Sequence, residues 1–391
     1  MMLSNKIYPF ALFLCYQFAF YGCTKTEPSA FQKESFVKNF GGAYEDEAVD
    51  ILKDNGHYYV LGNVKDDDAN ALIYLAKTDE LGNRVWTKDI SYSTAEKPTR
   101  AGQIIKLTKQ PGFAIIGSIK MDDDLLFYDT YLLIISENGE IISEYIYNNA
   151  NINDHGKCIA ELDNGGFTIS TLSTPTNGSG SFIDLITTSS TGEFIRRASP
   201  IAANNLFQMC KKNNNEGYYI AAYSTLPFII LLNAEGKFGG TQNFGSINGE
   251  IRSITQDKNG NTLVCGILNS GSNGSNDGFI AQLEDVEKSI DYTWLTEYGK
   301  TGIDYLEHLL ITENNEILLT GSTENPSLDT YDIWVLKTDI TGNFLNETII
   351  GGDNNEYGLR ILEQENNKYI VEGTTYFDKS SMISIIKSEL K

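Results

Sequence analysis

The sequence predicts an all-β fold, a seven-bladed β-propeller of four-stranded blades in which an N-terminal outer strand completes the last blade. Three observations predict it. A unit of four short β-runs recurs about every 52 residues along the chain. The last unit, ending in Ser381-Met382-Ile383-Ser384-Ile385-Ile386, stops after its third run. A lone run, Phe36-Val37-Lys38-Asn39-Phe40-Gly41-Gly42, precedes the first complete unit and has the character of a fourth run. A ring that borrows its missing strand from the other end of the chain has no open sheet edge.

The clearest unit runs from Glu47 to Ser91. Its first β-run meets the hairpin signal Asn55-Gly56, and its second ends at Gly62. An acidic loop follows, then a third run from Ala71 to Lys77, the turn Thr78-Asp79-Glu80-Leu81-Gly82-Asn83, and a fourth run near Trp86. Gly62 is matched by Gly117, Gly266, Gly321 and Gly373, with Ser170 and Ala222 expected at the same place in the third and fourth units. The last turn returns as Ser136-Glu137-Asn138-Gly139, Asn233-Ala234-Glu235-Gly236 and Thr338-Asp339-Ile340-Thr341-Gly342-Asn343; the fifth unit lacks its glycine and the fourth unit is short. Trp86, Trp294 and Trp334 are expected to pack between blades.

Ahead of the repeats, Ile7 to Tyr21 is uncharged, follows Lys6 and ends at Gly22-Cys23. The run is shorter than the ~20 residues of a membrane-spanning helix and reads as a cleavable signal. The expected organisation is a signal peptide over 1–22, a lipidated Cys23 with its tether over 23–35, and a propeller over 36–391. Cys158, Cys210 and Cys265 have no disulfide or metal spacing and read as small strand residues.

Phe20-Tyr21-Gly22-Cys23 resembles the lipobox of bacterial lipoproteins, and the repeats resemble the lipoprotein propellers of Bacteroidota, akin to quinoprotein-type blades. The resemblance covers Phe36 to Lys391 and rests on three features: the aromatic-Gly-Gly segment with acids after it, the Gly ending the second run, and Lys-Thr-Asp-x-x-Gly-Asn. It implies a protein of the bacterial cell envelope, held at the outer membrane through acyl chains on Cys23, with a monomeric propeller.

Function is less legible. With 52 Asp plus Glu against 30 Lys plus Arg and a net charge of −22, a nucleic-acid partner is excluded for want of a basic surface. His57, His155 and His308 fall in different units, and no His-Glu-x-x-His, Gly-x-Ser-x-Gly or Asp-x-Asp-x-Asp-Gly motif occurs. Asp79 to Trp86 departs from the quinone-binding repeat by one residue, so no catalytic residue, metal site or cofactor is assigned. In a four-stranded blade, the turns between the first and second runs and between the third and fourth share one face. Here these are short and stereotyped, while the loops of the other face vary and are acidic. Asp66, Asp67, Asp68, Asp122, Asp123, Asp124, Asp304 and Asp332 are therefore the candidate ligand-binding residues, on the rule that recognition sits in variable loops of a rigid scaffold. The expected task is non-catalytic binding or scaffolding of a protein or glycan partner through this face. The alternative is a carbohydrate-active enzyme with carboxylates at the mouth of the central channel.

Overall fold

The computed structural model describes residues 35–66, 70–93, 97–121, 127–198, 201–272, 276–288 and 291–390. Seven antiparallel sheets follow one another along the chain, and their innermost strands are Glu47–Asp54, Thr99–Lys106, Ile152–Glu161, Asn205–Lys211, Gly249–Gln256, Asp304–Ile311 and Glu356–Glu363. Each innermost strand lies against the next, and the seventh lies against the first. The chain is a seven-bladed β-propeller. The third blade's outer strand is split into Phe194–Arg197 and Ile201–Ala202, both paired with Phe182–Thr188.

Closure occurs as the sequence predicts. Phe36–Phe40 pairs antiparallel with Ser380–Glu389, in register from Phe36↔Lys387 to Phe40↔Ile383. The polarity of this pairing places Phe36 on the face of the stereotyped turns, so the chain enters the ring from that side.

There is no single central core. The buried apolar residues form clusters between neighbouring blades, as where Tyr59, Leu61, Ile73 and Leu75 of the first blade meet Ile104, Phe113, Ile115 and Tyr131 of the second. Tyr58, Val60 and Ala76 meet Ile370, Ile383 and Ile385 across the closing seam. Alternating residues of every strand thus face opposite neighbours, which explains why the middle strands read as nearly continuous apolar runs.

Two sequence landmarks acquire physical causes. Every innermost strand carries a bulge near its start, after the second or third residue in six blades and after the fifth in the third blade, and in most blades a central Gly sits opposite it: Ala48↔Gly62 before Asp50, and Leu306↔Gly321 before His308. A Cβ on Gly321 would lie 1.9 Å from the Tyr305 carbonyl oxygen, so this bulge excludes one, whereas the fourth blade accommodates Ala222 opposite Leu206. In the third blade the register places Thr171, not Ser170, opposite the pre-bulge residue Gly156. That corrects the sequence alignment by one residue, because there the inner strand supplies the glycine.

The Thr-Asp-x-x-Gly-Asn turn is equally local. Asp79 Oδ1 accepts the Leu81 and Asn83 amides at 2.9 and 2.8 Å, and Asn83 Nδ2 donates to Asp79 Oδ2 at 3.0 Å. Asp339 repeats the arrangement with Thr341 and Asn343; the Asn343 side chain above all brings its pKa down to about 2. The turn glycine has positive φ and abuts an aromatic of the preceding blade: a Cβ on Gly139 would meet the Trp86 ring at 2.8 Å, and one on Gly342 the Trp294 ring at 2.4 Å. Trp86 and Trp294 pack between blades, and Trp334 is buried there. Cys158, Cys210 and Cys265 are unpaired, the first and last buried.

Candidate functional site: the mouth of the central channel

Two rings of seven residues, one from each innermost strand, surround the channel near the variable face. The upper ring is the residue two before the bulged position in each blade, from Glu47 and Arg100 through His155, Asn205 and Glu250 to Tyr305 and Tyr357. The lower ring is the bulged residue itself: Val49, Gly102, Lys157, Phe207, Arg252, Glu307 and Leu359. A bulged residue has no partner across the ladder, so it is free to project from the sheet edge into the lumen.

On the side of the sixth, seventh and first blades the rings open into a cavity of about 230 Å³, walled by Glu47, Tyr305, Glu307, Tyr357, Leu359 and Tyr376. Tyrosines line up along it: the ring centroids of Tyr305 and Tyr331 are 6.3 Å apart, those of Tyr331 and Tyr357 5.4 Å, and those of Tyr357 and Tyr376 5.6 Å with the rings nearly perpendicular. Tyr376 is exposed and the other three are partly so. Such a row offers flat apolar faces with hydroxyls at their edges.

Charge is distributed unevenly around the mouth. The Arg252 guanidinium pairs with Glu307 and with Glu250, the latter at 3.2 Å, and lies 5.0 Å from the Tyr305 ring centre. On the opposite side, Arg100 and Lys157 are solvent-accessible and make no ion pair or hydrogen bond among the described residues. Burial by the channel wall lowers the Lys157 pKa, and Arg100 acts in the same direction. His155 lies beneath Tyr128, with ring centroids 5.2 Å apart. Burial, then Lys157 and Arg100, bring its pKa down to about 4, so it is neutral at physiological pH.

Immediately below the mouth, the residue after each bulge stitches one blade to the next. Asp50 Oδ2 accepts the Ile104 amide at 3.2 Å, Gln103 Oε1 the Ile159 amide at 2.8 Å, and Gln208 Oε1 the Ile254 amide at 3.0 Å. Ser253 Oγ accepts the Leu309 amide at 3.1 Å and His308 Nδ1 the Ile361 amide at 3.3 Å. The Cys158 thiol instead donates toward the Phe207 carbonyl. These positions face one another because of inter-blade satisfaction of backbone donors, which the bulges leave without ladder partners.

The acids singled out in the sequence take varied places. Asp66 closes its own loop, accepting the Asn70 amide at 2.8 Å. Asp304 is buried and accepts the Lys300 amide at 2.6 Å, holding the crossover into the sixth blade. Asp332 is buried at the start of Thr330–Asp339, against Gly351. Burial raises the pKa of both Asp304 and Asp332. Asp67, Asp68, Asp122, Asp123, Asp124 and Cys23 lie outside the described residues. Among the described residues no cluster of His, Cys, Asp and Glu could hold a metal ion. The tyrosine row and the Arg100–Lys157 pair were not singled out in the sequence. Aligning the seven units in columns around the central Gly would have brought both rings into view, since each ring is one column of that alignment.

Fold and mouth together define a seven-bladed β-propeller with an aromatic and charged opening on its variable face. No protein-family model matches the chain, and no curated protein matches it. Among solved structures the chain is similar to the Dos1 propeller, at 12% identity and a TM-score of 0.53, with 90% of this chain and 87% of that one covered. It is also similar to a protein of unknown function from Bacteroides caccae, at 10% identity and a TM-score of 0.46, covering 78% and 94% of the two chains. A third similar structure, of unknown function from Dyadobacter fermentans, has 13% identity and a TM-score of 0.44, with 91% and 99% covered. Likeness at this level of identity concerns the fold.

Proposed function

We propose that the protein is a non-catalytic ligand-binding module of a bacterial cell envelope, tethered to the outer membrane by a lipidated Cys23 and engaging its ligand at the channel mouth within the acidic rim of the variable face. The observation that carries this reading is the cavity walled by Tyr305, Tyr357 and Tyr376, which opens on the side of the irregular loops. Tethering fits the strand order. Phe36 starts on the opposite face, so an anchor at Cys23 would attach to the propeller on the side away from the mouth. Multiple acyl chains on one cysteine would make that attachment stable.

Binding without chemistry is favoured over hydrolysis by the state of the carboxylates. Glycosidic cleavage needs two acids free to act on either side of one bond. Of the two that wall the cavity, Glu307 is committed to the Arg252 guanidinium.

Immobilised full-length protein in detergent, screened against glycans and envelope extracts, tests the reading. Capture of a ligand by the wild type and its loss by Tyr357→Ala with Tyr376→Ala is the expected result. Capture undiminished in the double variant, or turnover of a captured glycan, would overturn it. For the anchor, Cys23→Ala is expected to release the protein from membranes and abolish acyl labelling.

A further inference from the structure

We infer that the cavity at the channel mouth binds an organic ammonium group, its positive charge seated against the rings of Tyr305, Tyr357 and Tyr376 and balanced by Glu47. This rests on the binding reading above and names the ligand class.

All four residues wall one cavity, so they form a single site. The Tyr357 and Tyr376 rings stand at 89° with centroids 5.6 Å apart, which makes two adjacent sides of a box, and Tyr305 adds a third aromatic to the wall. The face of an aromatic ring is the negative part of its quadrupole, so rings that meet around one space attract a cation there.

One cation of the protein already sits this way. The Arg252 guanidinium lies 5.0 Å from the Tyr305 ring centre while it pairs with Glu307, another residue of the wall. Ring plus carboxylate is thus the combination by which this mouth holds positive charge. The described wall itself contains no Lys or Arg, and its second carboxylate, Glu47, is exposed and forms no salt bridge among the described residues. Glu47 has the least of four effects on the Lys157 pKa, after burial, Cys158 and Arg100, whereas on that of Tyr376 it is second only to burial. Its field falls on the tyrosine box.

Net charge works in the same direction. With 52 acids against 30 Lys plus Arg, the protein draws cations toward it from a distance. A neutral sugar could stack on the tyrosines but would gain nothing from that field, and an anion would meet Glu47. The cavity of about 230 Å³ is smaller than the ~300–1,000 Å³ of drug-sized pockets, in keeping with a headgroup whose remainder lies outside.

Ligand-observed NMR titrations of the full-length protein in an uncharged polyether detergent test this with choline, its neutral isostere 3,3-dimethylbutan-1-ol, Nα-acetyl-lysine methylamide and maltotriose. Choline is expected to bind about fivefold or more tighter than the isostere. The lysine amide binding ahead of choline would assign the ammonium to a protein side chain and the reverse order to a small molecule, and either supports the class. Tyr357→Leu and Tyr376→Leu should each weaken choline about fivefold, while Tyr357→Phe, which keeps the ring and drops the hydroxyl, should change it by no more than about twofold. Glu47→Gln should weaken choline and flatten its dependence on salt. Thermal unfolding of each variant separates a lost contact from a lost fold, and since Glu47 and Tyr376 are exposed, their variants should unfold as wild type does. Choline and the isostere binding alike would overturn the role of charge. Maltotriose binding where choline does not, with loss in Tyr357→Phe, would overturn the ammonium class and leave the binding reading standing. If none of the four binds, the inference fails, and the screen above decides the broader reading alone.

Discussion

Arg360 Nε donates to Asp50 Oδ1 at 3.2 Å, joining residues 310 positions apart in the chain. This contact stands where the ring closes. At five of the other six seams an acceptor takes the amide of the next inner strand, but a guanidinium has no acceptor to offer. Asp50 therefore satisfies the Ile51 amide itself, at 3.1 Å, while reaching forward to Ile104 and back to Arg360. The seam between the chain's ends is thus ionic where several others are held by neutral acceptors. Arg360→Met leaves the Asp50 carboxylate buried without its counter-charge and is expected to cost about 3 kcal/mol. Arg360→Met with Asp50→Asn should recover part of that. Urea unfolding midpoints of the three variants check both statements, and a double variant no better than Arg360→Met would show that the pair is not coupled.

The N-terminal strand provides the second lock. Removing residues up to Gly41 is expected to leave Ser380–Glu389 as an open edge ready to pair with another chain. Light scattering should then register oligomers at concentrations where the full-length protein is monomeric, and persistence of a monodisperse monomer would argue against a closing role.

Acid should loosen the ring through His308. Its Nδ1 accepts the Ile361 amide, which requires the proton on Nε2, and burial brings its pKa from 6.5 down to about 3. Between those values the unfolded chain binds a proton that the folded chain does not, so stability falls as pH drops below about 6.5. Gln occupies the equivalent place at Gln103 and Gln208 and accepts the same kind of amide. His308→Gln should therefore flatten the decline in thermal midpoint between pH 7 and pH 4, leaving the smaller slope that His155 contributes. An unchanged slope would remove His308 from the account.

Glu372 has the opposite sign. It is fully buried in Lys368–Phe377, neither carboxylate oxygen has a hydrogen-bond partner, and burial, then Asp50, push its pKa well above 4.5. A raised pKa favours the folded state below about 4.5 and works against it as pH rises. Glu372→Met is expected to stabilise the protein at pH 7 by about 1–3 kcal/mol, the range for an unsatisfied buried polar group, and by less at pH 4. Equal effects at both pH values would mean that packing rather than ionisation governs the site.

The fold was legible because its signals are local and repeated. Asn55-Gly56 dictates a hairpin, and the turn from Asp79 to Asn83 satisfies its own amides. Even the borrowed strand could be read, since one run too many at one end matched one too few at the other. The glycines were visible as a period, but their cause, the bulge carbonyl of the inner strand opposite Gly321, was not.

The mouth was harder to read because its residues share a column of the repeat and not a motif. Acidic runs such as Asp66-Asp67-Asp68 draw attention in a sequence by composition, while Arg100, Lys157, Tyr357 and Tyr376 are each unremarkable in their own neighbourhoods. The sequence by itself determined the number of blades, the strand order and which end completes the ring, because short-range hydrogen bonding and alternation dictate those. Only the tertiary structure decided which side chains meet around the channel and that His308 serves a neighbouring backbone amide. Ring closure brings seven distant segments to one axis, and contacts across that axis leave no trace in local pattern.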